Sequence, residues 1–168
     1  MSNKNTLLAI SLSLSLFLVF GAVGMLAADE EPIKIGALNP LTGPLASWGK
    51  PVTNGLELGI THVNEAGGPL GRKIDLLVRD TKTDSNTASS AAGNLIDVND
   101  VPAILGPLAT TTATAIAEGE TIPNEVLQIS TCTGIPYTDL DDNDYAFRTS
   151  APDNYQGKLL GELALDVG

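Results

Sequence analysis

Cysteine is all but missing from this chain. Cys132 is the only one, so no disulfide can form within it and stability must come from a packed core. Histidine also occurs once, at His62, which leaves no imidazole pair for a zinc site and no well-placed base for a Ser–His–Asp or Cys–His arrangement. Basic residues are few: 9 Lys and Arg stand against 20 Asp and Glu, a formal net charge of −11. That balance argues against nucleic acid or an anionic lipid surface as the partner. From Thr6 to Ala28 there is no charge at all.

That uncharged stretch sets the first boundary. Lys4 precedes it, Leu12 to Phe20 is apolar, and small residues lead to Leu26-Ala27-Ala28 before Asp29-Glu30-Glu31. A short basic start, an apolar run, small residues and an acidic continuation read as a secretory signal peptide over residues 1–28. The stretch is also long enough to cross a bilayer, so membrane anchoring through residues 6–28 is the alternative. Either reading exports the domain that follows. Without Lys4, the remaining segment of about 140 residues is long enough to bury a core.

The rest of the chain alternates between strand and helix patterns. Ile33 to Leu38 reads as a strand, followed by a turn-rich loop, Leu41 to Gly49, that carries the sole tryptophan, Trp48. A helix is expected from about Pro51 to Ala66, with Leu56, Ile60 and Val63 on one face. Strands are expected at Lys73–Asp80, Val101–Leu105, Glu125–Ser130 and Tyr145–Arg148, and helices at Asn86–Val98, from Thr110, and at Asp153–Val167. The fold class this predicts is α/β, a parallel sheet with helices on both faces. The last helix pattern has no strand after it, which reads as a stop inside a larger architecture.

One segment points to function. Val101 to Leu105 turns through Gly106-Pro107 into the hydroxyl-rich run Thr110-Thr111-Thr112. A helix start there places free N–H groups, threonine hydroxyls and the positive end of a helix dipole at the carboxyl end of a strand, where open α/β sheets bind ligands. Such a point suits a carboxylate. Other motifs fail on inspection. The acidic run from Asp139 to Asp144 has Asp144 and Ser150 where a calcium loop needs Gly and Glu. Gly67 to Lys73 lacks the Gly-Lys-Ser/Thr ending of a phosphate loop. No catalytic constellation, metal site or cofactor motif is expected.

Four motifs in order carry a resemblance: Thr42-Gly43-Pro44-Leu45-Ala46-Ser47-Trp48-Gly49; Asn64-Glu65-Ala66-Gly67-Gly68 with Gly71-Arg72-Lys73-Ile74; Ile104-Leu105-Gly106-Pro107-Leu108; and Phe147-Arg148-Thr149-Ser150-Ala151-Pro152-Asp153. Together they resemble the branched-chain amino-acid (Leu/Ile/Val-type) periplasmic binding proteins of ABC importers. The resemblance implies a type I binding-protein lobe, truncated to its N-terminal part over residues 29–168, with an ABC permease as partner. It implies that Trp48 lines the pocket and that Thr110, with Thr111 and Thr112 beside it, binds the solute's carboxylate. The loop Ser130-Thr131-Cys132-Thr133-Gly134 matches one that offers a carbonyl to the ammonium and a hydroxyl and N–H to the carboxylate. Cys132 and Thr133 fall in that set. Counting back from Pro136 would put Gly134 at the hydroxyl position, while counting from Ser130 puts Thr133 there and keeps the chemistry. By itself Cys132 reads as a small buried hydrophobe.

The expected function is extracytoplasmic solute binding for import, the solute being a branched-chain amino acid or a related small amide or amino acid. The alternative is the ligand-binding region of a membrane receptor or amide sensor. An enzyme is disfavoured because the sole histidine, His62, sits mid-helix with no partner.

Overall fold

The computed structural model describes residues 31–140 and 142–168; the expected signal peptide or anchor lies outside them, as does Asp141 of the acidic run. No described helix is long and apolar enough to cross a membrane.

Strands β1 (Ile33–Asn39) and β2 (Ile74–Asp80) pair in parallel from Ile33 beside Ile74 to Asn39 beside Asp80. On the other side of β1 come β3 (Ala103–Leu105), β4 (Leu127–Ser130) and β5 (Ala146–Arg148), giving the order β2-β1-β3-β4-β5 with every pairing parallel. Parallel neighbours need crossovers, supplied by α1 (Ala46–Glu65), α2 (Ser85–Asp97) and α3 (Thr110–Ile116). The chain steps from β1 out to β2 and then doubles back past β1 to β3. With right-handed crossovers, that reversal sets α1 on one face and α2 and α3 on the other. After β5 comes α4 (Asp153–Val167).

Local chemistry fixes these elements. Asp84 caps α2, its carboxylate accepting from the Thr87 N–H and hydroxyl, each at 2.7 Å. Asn64 ties the end of α1 to the start of β2, donating to the Ile74 carbonyl at 2.9 Å and accepting from its N–H at 2.7 Å. Behind α3 the helix widens into a π turn, Ala117–Thr121, where Gln128 of β4 holds it. The Gln128 amide donates to the Ala113 carbonyl at 3.1 Å and accepts from the Thr121 hydroxyl at 2.8 Å.

The sheet's two faces differ. Leu38 and Ile104 of the sheet pack with Leu95 of α2 and Ile116 of α3, all fully buried, and each such side chain contributes roughly 1.5–3 kcal/mol by leaving water. On the opposite face the register aligns Val78, Ala37, Leu105, Ile129 and Phe147 in one row. Its β1–β2 end lies beside α1, and Phe147 at the far end is 46% exposed.

Most element boundaries shift by a residue or two from expectation, and one shift is larger. α1 begins at Ala46 and not near Pro51, which moves Trp48 from a loop into the first helical turn. The Ala46 N–H bonds to the Gly43 carbonyl, and the Trp48 and Gly49 N–H groups bond to that of Leu45. These contacts start the helix early, and Pro51 sits inside it at the cost of one backbone bond.

Candidate functional site

All five strands are parallel, so their carboxyl ends share one edge, and the loops that leave it form the candidate site. β1 leads through residues 40–45 into the turn bearing Trp48, which is 67% exposed. This loop is held from the next strand by Asp80. The Asp80 carboxylate accepts from the Leu41 N–H at 2.8 Å, the Thr42 N–H at 3.2 Å and hydroxyl at 2.5 Å, and the Lys82 N–H at 2.9 Å. Burial alone would raise its pKa, but the Thr42 hydroxyl and the three N–H groups outweigh that and hold it down at about 2.

The β3–α3 connection passes through Gly106, whose φ of 102° lies in the left-handed region. A side chain there would sit 2.1 Å from the Leu38 carbonyl oxygen, so only glycine fits. Ala109 caps α3 and offers no side-chain acceptor, so the first-turn N–H groups have no capping side chain. The three threonines divide. Thr112 is fully buried and returns its hydroxyl to the Ala109 carbonyl at 2.9 Å. Thr111 is exposed, and Thr110 is half-buried at the edge. Thr110 and Thr111 also border a shallow groove of about 290 Å³ with Thr114, Ala115, Glu118 and Pro136.

The loop after β4 is locked to this helix start twice. The Ser130 hydroxyl donates to the Pro107 carbonyl at 2.6 Å and accepts from the Cys132 N–H at 3.0 Å. The Gly134 N–H donates to the Thr110 hydroxyl oxygen at 3.0 Å. A side chain at position 134 would fall 2.6 Å from that of Thr110, so the place a hydroxyl residue would need is already filled. Thr133 stays half-buried, its carbonyl accepting from the Asp153 N–H at 2.9 Å. The Cys132 side chain is buried in a second apolar cluster with Ala113, Ala117 and Tyr137, its sulfur within reach of the Ser130 and Thr110 hydroxyls, so it presents no side chain to solvent at the edge. Burial pushes its thiol pKa up.

The site is therefore built of neutral donors: hydroxyls and N–H groups from two loops bonded to each other. Such groups hold an anion without burying a fixed opposite charge, at roughly 1.5–3 kcal/mol per hydrogen bond to it. Among the described residues no cluster of His, Cys, Asp or Glu is placed to hold a metal ion. Two residues that shape the site had escaped the sequence reading. Asp80 and Arg148 each end a strand at this edge, and that position was the available signal.

A doubly wound lobe with donor-bearing loops at its strand ends has the geometry in which open α/β sheets bind ligands. The chain belongs to the periplasmic binding protein family, whose model matches residues 32–166. A Leu/Ile/Val-binding protein homologue of Brucella abortus (strain 2308) is 36% identical over 123 residues, which are 71% of this chain and 28% of the relative. A branched-chain amino-acid transporter substrate-binding protein from Streptococcus pneumoniae, solved with isoleucine, superposes with a TM-score of 0.68 at 28% identity. The match covers 73% of this chain and 35% of that one. An ABC-transporter solute-binding protein from Rhodopseudomonas palustris BisB5, solved with 3,4-dihydroxybenzoic acid, gives a TM-score of 0.62 at 28% identity, covering 73% of this chain and 33% of its own. The chain thus spans about a third or less of the length of these relatives. They are solute-binding proteins, not enzymes.

Proposed function

We propose that this chain forms one lobe, residues 29–168, of an extracytoplasmic solute-binding protein that delivers a branched-chain amino acid or a related small amide or amino-acid solute to an ABC permease. Residues 1–28 act as its export signal or anchor. The solute's carboxylate is held by the Thr110 hydroxyl, the uncapped N–H groups at Thr110 and Thr111, and the Thr133–Gly134 turn. Cys132 contributes through its backbone, and Trp48 supplies an apolar wall with one donor. Thr133 is the better hydroxyl donor in the loop, since Thr110 already fills the space beside Gly134.

The observation that carries this reading is the Gly134 N–H bonded to the Thr110 hydroxyl, which joins two donor-rich loops at an uncapped helix start. The relatives add weight from chemistry. Isoleucine and 3,4-dihydroxybenzoic acid, bound by two of them, have in common a carboxylate on a compact carbon body.

Calorimetric titration of the intact natural polypeptide with leucine, isoleucine, valine, their amides and 3,4-dihydroxybenzoate tests the proposal. Binding of at least one acid, with its amide at least tenfold weaker, is the expected result. Heat from none of these solutes would overturn it.

A further inference from the structure

One cation at the site edge has no part in the reading above. Arg148 ends β5 beside Ser130, and its guanidinium lies 5.3 Å from the centre of the Tyr137 ring. One Nη donates to the Thr138 hydroxyl at 2.6 Å, and both Nη atoms reach the Gly134 carbonyl oxygen at 3.4 Å. The Tyr137 ring is itself fixed, because it is buried and its hydroxyl donates to the Phe147 carbonyl at 3.3 Å. Among the described residues no carboxylate forms an ion pair with Arg148.

Gly134 is consequently held from both sides. Its N–H goes to Thr110 and its carbonyl receives Arg148. Position 134 must be glycine to clear Thr110, and glycine is the residue that restrains its own backbone least. Something outside the loop has to supply the restraint. A planar guanidinium can fork onto one carbonyl while stacking on a ring; an ammonium cannot do both. There is a chemical consequence at Thr110. Its oxygen accepts the Gly134 N–H, so its one proton is what remains to donate; the Cys132 sulfur lies within its reach, and a solute carboxylate is the stronger acceptor.

We propose that Arg148 is a positioning residue of the solute site: stacked on Tyr137, it fixes the Gly134 backbone so that Thr110 presents its hydroxyl as a donor to a solute carboxylate. This rests on the solute-binding reading of the two loops, and the positive charge of Arg148, which pairs with no carboxylate among the described residues, favours the same anion from behind the loop.

Three variants of the intact natural polypeptide test it: Arg148→Lys, Arg148→Ala and Thr138→Val. The first readout needs no solute. Amide hydrogen exchange at Gly134 is expected to quicken about tenfold in Arg148→Lys while the β4 amides of Gln128 and Ile129 keep their rates. The second is leucine affinity by titration. Arg148→Lys is expected to weaken it about tenfold, Thr138→Val to weaken it in the same direction, and millimolar methylguanidinium, but not methylammonium, to restore it in Arg148→Ala. Unchanged Gly134 exchange in Arg148→Lys would overturn the proposal. So would exchange that rises equally along β4 with no guanidinium rescue, which marks a general support of the fold. If the unsubstituted protein binds none of the titrated solutes, the solute reading fails, and the Gly134 exchange rates alone uphold or overturn the role of Arg148; if it binds another of them and not leucine, that solute replaces leucine in the affinity series.

Discussion

Thr110 sits where three kinds of contact meet: a helix start, a neighbouring loop and the edge of the sheet. Replacing it by valine keeps the shape and removes the hydroxyl. Leucine affinity is expected to fall by about 10–100-fold, with a stability loss of about 1 kcal/mol by denaturant titration; serine at the same position should retain most of both. Asp80 gives a pH-dependent counterpart. Its folded pKa of about 2 lies below the ordinary 3.8, so folding favours the carboxylate. The stability it contributes is present above about pH 4 and is lost as pH falls from there toward 2. Asp80→Asn should flatten the acid-denaturation curve in that window and leave the neutral-pH dependence unchanged, as followed by circular dichroism. At this scale the helix start at Thr110 was legible because a hydroxyl run after a strand carries its own local meaning, whereas Thr133 entered only through the family resemblance, with Gly134 as its rival. Asp80 was not. Its partners Leu41 and Thr42 lie 39 and 38 residues away, and nothing in the local sequence announces them.

Among the elements, α3 depends most on another. A seven-residue helix is too short to persist alone, and Gln128 reaches from β4 to hold its widened end. Gln128→Ala is expected to cost about 2–4 kcal/mol, because it opens a cavity, strands the buried Thr121 hydroxyl and leaves the Ala113 carbonyl with only the Ala117 N–H. The Cys132 thiol, packed against Ala113 and Ala117 of the same region, should react with a thiol reagent such as Ellman's reagent only as the protein unfolds. Element order and type were readable from period and composition, while boundaries were less so. Strand β3 is three residues long where five were expected, because only Ala103 to Leu105 find ladder partners. The start of α1 was hidden by Gly43, Pro44 and Pro51, turn formers that tertiary contacts accommodate inside or just ahead of a helix.

For the whole molecule, the contrast between the two sheet faces sets where substitutions matter. Ile104→Ala, on the fully buried face, should destabilise by about 2–5 kcal/mol. Phe147→Ala, on the half-open face, should cost well under that, about 1 kcal/mol or less in the same denaturant series. The sequence by itself determined the doubly wound alternation, the export-compatible composition and the placing of a hydroxyl-rich helix start after a strand. Each of these follows from residues close together in the chain, through hydrophobic period and turn chemistry. Only the tertiary structure decided which donors stand together. It set Gly134 against Thr110 across 24 residues and turned the Cys132 side chain into the core. It also brought Asp80 and Arg148 to the loops they hold. Those choices depend on which strand ends become neighbours in the sheet, and parallel strand order is settled by long-range packing that no local window of sequence contains.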